Sequence, residues 1–168
     1  DLDKNGGLKQ VIFVACGGSF ASSYPARFLL NQESSLRVQG YNSSEFVNAT
    51  PKNVDKNTLV IGTSTKATAE TVEALKVAKE KGAVTVGLSG YADSLTAQTA
   101  DYYITYYHAD EWYKDPTLVH YNSQGTALKI AFWLLKEYDN YEAYDKALEG
   151  FEKLETIYGK AYTDVRAE

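Results

Sequence analysis

Methionine is absent from this sequence, cysteine occurs once and histidine twice, and no stretch is either strongly basic or continuously apolar. Each shortage excludes something. A lone cysteine cannot build an internal disulfide framework and fits a reducing, cytoplasmic setting. No apolar run approaches the roughly 20 residues that cross a bilayer, and the polar opening Asp1-Leu2-Asp3-Lys4-Asn5 is unlike a secretory signal. The net charge is −5, and a phosphate backbone needs several Lys or Arg contacts, so nucleic acid is not an expected partner. Two histidines and one cysteine offer no ligand-spaced metal cluster. A missing methionine, even at the first position, is expected of a piece cut from a longer protein or of a sequence that has lost modified methionines.

What remains is a soluble globular composition, 44% hydrophobic and 23% charged over 168 residues. That length suits one domain, residues 1–168, with its own core. Apolar β-branched runs bounded by glycine predict strands at Val11–Cys16, Leu36–Gly40, Thr58–Thr63, 83–89 and 101–107. Between them, helical spacing predicts Phe20–Leu30, a turn over Ser44–Ala49, Ala67–Lys81 and a short helix over Ser94–Gln98. The third of these has Gly82 as its stop. Strands that are apolar on both faces and alternate with helices predict a parallel sheet covered on both sides. The expected fold is therefore α/β: a three-layer αβα sandwich with a five-stranded parallel sheet in flavodoxin-like order. Two C-terminal helices follow, one over Ser123–Tyr138 and one carrying Tyr141, Tyr144, Leu148, Phe151, Leu154 and Tyr158.

The first strand runs into Cys16-Gly17-Gly18-Ser19. A dinucleotide site wants G-x-G-x-x-G and an acidic residue ending the second strand, but no third glycine follows, and that strand ends Gly40-Tyr41-Asn42. A nucleoside-triphosphate loop wants a glycine and Lys-Ser/Thr; Lys66 is followed by Ala67. A cysteine phosphatase loop would need arginine six residues after Cys16, where Ser22 stands. The hydrolase elbow G-x-S-x-G is absent, because Gly87-Leu88-Ser89-Gly90 has the wrong spacing.

Two similar corners survive this elimination. The first strand ends in Gly17, Gly18 and Ser19, and the third in Thr63, Ser64 and Thr65, with Thr68 opening the next helix. In a doubly wound sheet these strands are neighbours, and the crevice at their carboxyl ends is the usual ligand site. Helix N–H groups and hydroxyls aimed there suit a small phosphate monoester. Hydrogen bonds to a charged group contribute roughly 1.5–3 kcal/mol each, and a dissociation constant near 0.1 mM needs about 5.5 kcal/mol. A few donors suffice without an arginine. The competing reading is that Ser and Thr only cap the two helices.

The stretches "FVACGGSFASSYPARFLL", "SSEFVNATPK", "TSTKATAETVEALKVAKEKGA" and "YNSQGTALKIAFWLL" together resemble the sugar isomerase (SIS) family of phosphosugar-binding domains. Within it they are similar to the deglycases of fructosamine 6-phosphate and, more distantly, to the isomerase half of glucosamine-6-phosphate synthase. The resemblance implies that Gly17, Gly18, Ser19, Thr63, Ser64, Thr65 and Thr68 hold the phosphate, and that Ser123 and Gln124 meet the sugar. Family members show Ser-x-Ser-Gly with Glu or Asn before the Thr. Here Lys66 and Ala67 hold the inner positions, and Lys66 takes positive φ less freely than glycine. Relatives carry two such domains in tandem, so this chain corresponds to the amino-terminal half, and no position matches the family's catalytic motifs.

Proton transfer between C1 and C2 of a sugar wants a carboxylate with a raised pKa or a histidine near neutrality. His120, just ahead of the Ser123 helix, and Glu45, beside the second strand's carboxyl end, are the candidates. A backbone-bonded loop histidine and a helix-capping or inter-subunit glutamate are the plainer readings. His108 sits in an aromatic, charged loop of surface or interface type, and Cys16 fills a buried gap. The fourteen tyrosines cluster at Tyr102–Tyr113 and along the tail, a density typical of subunit interfaces as well as of core rims; a homodimer or larger homo-oligomer is expected. The leading expectation is a phosphosugar-binding domain of an enzyme that deglycates or isomerises a hexose 6-phosphate without a cofactor. A non-catalytic sugar-phosphate sensor, or a half-domain forming one wall of a partner's site, are the alternatives.

Overall fold

The structure, a computed structural model, describes residues 7–106, 116–151, 153 and 156, and for 116–121 the backbone alone. His108, Leu154, Tyr158 and the later part of the Tyr102–Tyr113 cluster lie outside the described residues. Five strands form one parallel sheet: β1 (Gln10–Ala15), β2 (Arg37–Asn42), β3 (Thr58–Thr63), β4 (Val84–Ser89) and β5 (Tyr102–Thr105). Their order is β2-β1-β3-β4-β5, the flavodoxin-like order expected. The helices are α1 (Gly17–Ser22), α2 (Tyr24–Glu33), α3 (Ser43–Asn48), α4 (Ala69–Glu80), α5 (Leu95–Thr99) and α6 (Pro116–Asp139). Residues 144–151 are also helical.

Alternation sorts the central strands onto two cores. Val11, Phe13, Leu59 and Ile61 pack with Ala26 and Leu30 of α2 and with Ala131, Leu134 and Leu135 of α6. Ile12, Val14 and Val60 pack with Phe46 of α3 and with Ala74 and Ala78 of α4. Every residue of β1 and β3 is buried, as strands covered on both faces must be. By contrast, all four residues of β5 are exposed, because it closes one edge.

Several element ends shift by one or two residues from the sequence-based expectation, and two helices differ by more. The helix expected over Phe20–Leu30 is two helices, broken at Ser23. Pro25 falls in the first turn of α2, where its missing N–H costs nothing, whereas in a continuous helix it would cost a bond. The Ser22 and Ser23 hydroxyls donate instead to the Ser19 and Phe20 carbonyls, at 2.9 and 2.7 Å. The helix expected to begin at Ser123 begins at Pro116, since proline is at home in a first helical turn. Its far end is tied to α2: Asp139 accepts from the Ser34 hydroxyl at 2.6 Å and from the Ser35 N–H at 2.9 Å.

A groove of about 770 Å³ lies between α6 and the strands β3–β5, lined by Leu59, Ile61, Val86, Ile104 and Trp133 among others. Its apolar walls do not suit a phosphate. Among the described residues no helix is long and apolar enough to cross a membrane.

Candidate functional site

The carboxyl ends of β1 and β3 are paired, Ala15 opposite Thr63. The chain leaves β1 toward β2 on one side and β3 toward β4 on the other. This is the switch point at which open α/β sheets bind ligands. The two glycine- and hydroxyl-bearing corners read from the sequence therefore meet here, on adjacent strands about 5 Å apart.

The first corner is built from backbone. Cys16 holds the N-cap position of α1 in an extended conformation, with no side-chain cap. Gly17 follows with φ +52°, a left-handed conformation that costs an L side chain roughly 1–2 kcal/mol. Gly17 and Gly18 are exposed, and Ser19 is half-buried. The glycines turn the chain sharply from strand to helix.

The second corner is laced by side chains. Thr63 and Ser64 are each 3% exposed. The Ser64 hydroxyl accepts from the Thr68 N–H at 2.9 Å and lies 3.0 Å from the Thr68 hydroxyl, so the loop folds back on itself to open α4. Thr65 is pinned through both backbone and side chain. Its carbonyl accepts from the Ser89 hydroxyl and the Gly90 N–H, each at 3.1 Å. Its own hydroxyl accepts from the Tyr106 phenol at 3.0 Å. Outside glycine, Asn140 alone among the described residues has positive φ. Lys66 thus closes this loop in an ordinary conformation, without the glycine geometry that the family pattern suggests.

The remaining sequence candidates fall elsewhere or play other parts. Ser123 does not start a helix. It lies within α6, 2% exposed, and its hydroxyl donates to Ser22 at 3.0 Å, fastening α6 to α1 directly behind the first corner. Gln124 beside it is half-buried. His120, expected in a loop, belongs to the backbone of α6, about one turn before Ser123; its side chain lies outside the described residues. Glu45 is exposed in the first turn of α3, where a carboxylate complements the helix dipole. Cys16 is half-buried. Among the described residues, no three of His, Cys, Asp and Glu gather as metal ligands would.

Sequence reasoning missed Tyr106, Ser89 and Ser94. Tyr106 falls in the tyrosine cluster read as subunit interface or core rim, yet it is 3% exposed where Tyr102 and Tyr103 are 59% and 54%. Burial pushes its phenol up to about 12, against the smaller opposing effect of the bond to Thr65, so it stays protonated throughout the neutral range. Ser94 caps α5 by accepting from the Ala97 N–H at 3.1 Å and donates to Ser89 at 2.7 Å. Ser89 in turn donates to the Thr65 carbonyl. Gly87 makes this relay possible: a Cβ there would lie 2.6 Å from the Thr96 carbonyl oxygen, so only glycine lets α5 approach β4 so closely. A run of Gly-Leu-Ser-Gly-Tyr followed by Ser94 was the available signal.

Chemically, the arrangement offers hydroxyl and amide donors with one helix N-terminus of three turns behind them, a combination suited to a small dianion. Several known proteins are similar to this chain. Fructosamine deglycase FrlB of Bacillus subtilis is 34% identical over 156 residues, covering 92% of this chain and 46% of that protein. Fructoselysine 6-phosphate deglycase of Escherichia coli is 32% identical over 100 residues, covering 59% of this chain and 29% of its own. A crystal structure of a candidate phosphosugar isomerase from Bacillus subtilis superposes with a TM-score of 0.83 at 33% identity, covering 94% of this chain and 47% of that one. The chain thus spans about half the length of the first relative and of that structure. The SIS domain pattern matches residues 8–135, and this chain belongs to the SIS domain family.

Proposed function

We propose that the chain is the phosphosugar-binding amino-terminal half of a two-domain enzyme that deglycates or isomerises a hexose 6-phosphate. The observation that carries this reading is the second corner: Thr65 and Thr68 are held by neighbouring side chains at the N-terminus of α4, opposite Gly17-Gly18-Ser19 at the switch point. In this reading Ser19, Thr65 and Thr68 donate to the phosphate. Thr63 and Ser64, both buried, shape the loop that presents them. Gly17 and Gly18 let backbone N–H groups approach. Ser123 and Gln124 border the sugar side through the α1–α6 contact. Names of the relatives support the substrate class: a fructosamine and a fructoselysine 6-phosphate are both amine adducts of a hexose. Either reaction opens the sugar and moves a proton between C1 and C2; in deglycation water then adds to the resulting C1 imine and the C–N bond breaks, releasing a hexose 6-phosphate and an amine, and no redox cofactor is needed.

A second reading, a sugar-phosphate sensor, draws on one specific observation. Among the described residues of the two corners, 16–19 and 63–68, there is no carboxylate or imidazole to move a proton. Turnover by the full-length protein separates enzyme from sensor. The exposed aromatic edge of β5 supports a homodimer or larger assembly, and sedimentation as a monomer at micromolar concentration would refute that.

Thermal unfolding tests the site itself. Fructose 6-phosphate should raise the midpoint, by about 2.7 kcal/mol of stabilisation at a hundredfold excess over its dissociation constant. Equal fructose should leave it unchanged. The same midpoint with and without fructose 6-phosphate would overturn the assignment.

A further inference from the structure

Tyr106 presents a puzzle of composition. Its ring is part of the core that also holds Leu88 and Leu134, a place where phenylalanine would pack equally well. A buried hydroxyl must be hydrogen-bonded or it is costly, and this one donates to Thr65, 41 residues away in sequence. The chain goes out of its way to make it. The four preceding residues of β5 are exposed, and at Tyr106 the backbone N–H bonds to the Ser89 carbonyl at 3.0 Å while the side chain turns inward.

A threonine hydroxyl has one proton to give and two lone pairs with which to accept. Where Tyr106 donates to Thr65, the Thr65 proton is left unspent. The Thr65 carbonyl is already filled by Ser89 and Gly90. We propose that Tyr106 is a positioning residue for the ligand's phosphate: by donating to Thr65 Oγ1, it commits the Thr65 O–H to donate outward. The inference rests on the phosphosugar reading of this corner and adds to it a residue that never touches the ligand. Two features of the phenol suit that part. It is fixed by the core, so the geometry is set before the ligand arrives. Burial also keeps it protonated, so its direction as donor does not change with pH in the neutral range. A hydroxyl that already accepts one hydrogen bond is also a stronger donor in the next.

The test is a double-mutant cycle read by calorimetric titration of the folded chain, well below each variant's unfolding midpoint, with fructose 6-phosphate and inorganic phosphate as probes. Tyr106→Phe keeps the ring and removes only the donor. It should weaken both probes about 3- to 10-fold, the worth of one hydrogen bond. Thr65→Val should weaken them further, and adding Tyr106→Phe to it should change nothing more. Thr65→Ser, which keeps the hydroxyl, should restore the dependence on Tyr106. A merely structural bond would lower the midpoint of the unliganded Tyr106→Phe chain and leave affinity alone. Wild-type affinity in Tyr106→Phe, or a full loss that persists on the Thr65→Val background, overturns the positioning role alone. Failure of the wild type to bind either probe overturns the phosphosugar reading and the inference with it.

Discussion

The two ends of the sheet use similar residues to opposite effect. At the amino end, polar side chains satisfy one another. Gln10, 4% exposed, donates to the Asn53 carbonyl at 2.7 Å and to the Thr58 hydroxyl at 2.8 Å, and accepts from the Asn53 amide at 3.1 Å. Thr58 passes its own proton to Asp55 at 3.2 Å. Further along the same end, Asp101 accepts from the Thr85 N–H and hydroxyl at 2.9 and 2.8 Å and pairs with Lys79 at 3.0 Å. Those networks are closed. At the carboxyl end, Thr65 takes a bond from Tyr106 and Thr68 pairs with Ser64 within the loop, and in the function proposed above these hydroxyls serve the phosphate. The same hydroxyl chemistry locks strands at one end and, in the proposed reading, holds a place for a ligand at the other.

That contrast predicts which quantity each substitution moves. The largest effect belongs to the carboxyl end. Thr65→Val with Thr68→Val removes two bonds to a charged group, each worth roughly 1.5–3 kcal/mol, so affinity for fructose 6-phosphate should fall at least about 100-fold in calorimetric titration. Unchanged affinity would place the ligand elsewhere. At the amino end, Gln10→Leu leaves Thr58 and Asn53 short of partners at a cost of about 2 kcal/mol. In a chain of this size the midpoint should drop by about 5 °C, with affinity in the folded chain unchanged. A parallel loss of affinity would erase the division between the ends.

The smallest effect is on acid stability. The Asp101 carboxyl is pushed up by partial burial, but bonds from Lys79 and Thr85 outweigh this and hold it below its ordinary value. Asp139 is likewise held down by Ser34 and Ser35 against its own burial. A carboxyl depressed in the folded chain contributes stability above its ordinary pKa, and that contribution is lost as pH falls through the depressed value. Stability should therefore decline below about pH 4, and Asp101→Asn should flatten that limb of the midpoint–pH curve slightly. An unaltered limb would show that the exposed pair with Lys79 is screened to insignificance.

The division was only half legible in the sequence. Alternating apolar runs fixed the strands and their order, because burial on both faces leaves a pattern in composition. The second corner was readable for a related reason: hydroxyls concentrated between a strand and a helix have few other uses. The closed network at the amino end left no local trace, since Gln10, Asn53 and Thr58 meet only through the β1–β3 pairing. Tyr106 was hidden by its company. Among several tyrosines on an edge strand, nothing local marks the one that turns inward. The break at Ser23 and the early start of α6 were carried by Pro25 and Pro116, residues that a periodicity reading passes over or takes as boundaries.

The most direct measurement is an amide chemical-shift titration of the isotopically labelled chain with fructose 6-phosphate. The account predicts saturable shifts concentrated at Gly17 to Ser19 and Thr63 to Thr68, with Gln10, Thr58 and Thr85 still. Shifts that gather instead at the amino end, or along the groove between α6 and β3–β5, would contradict it.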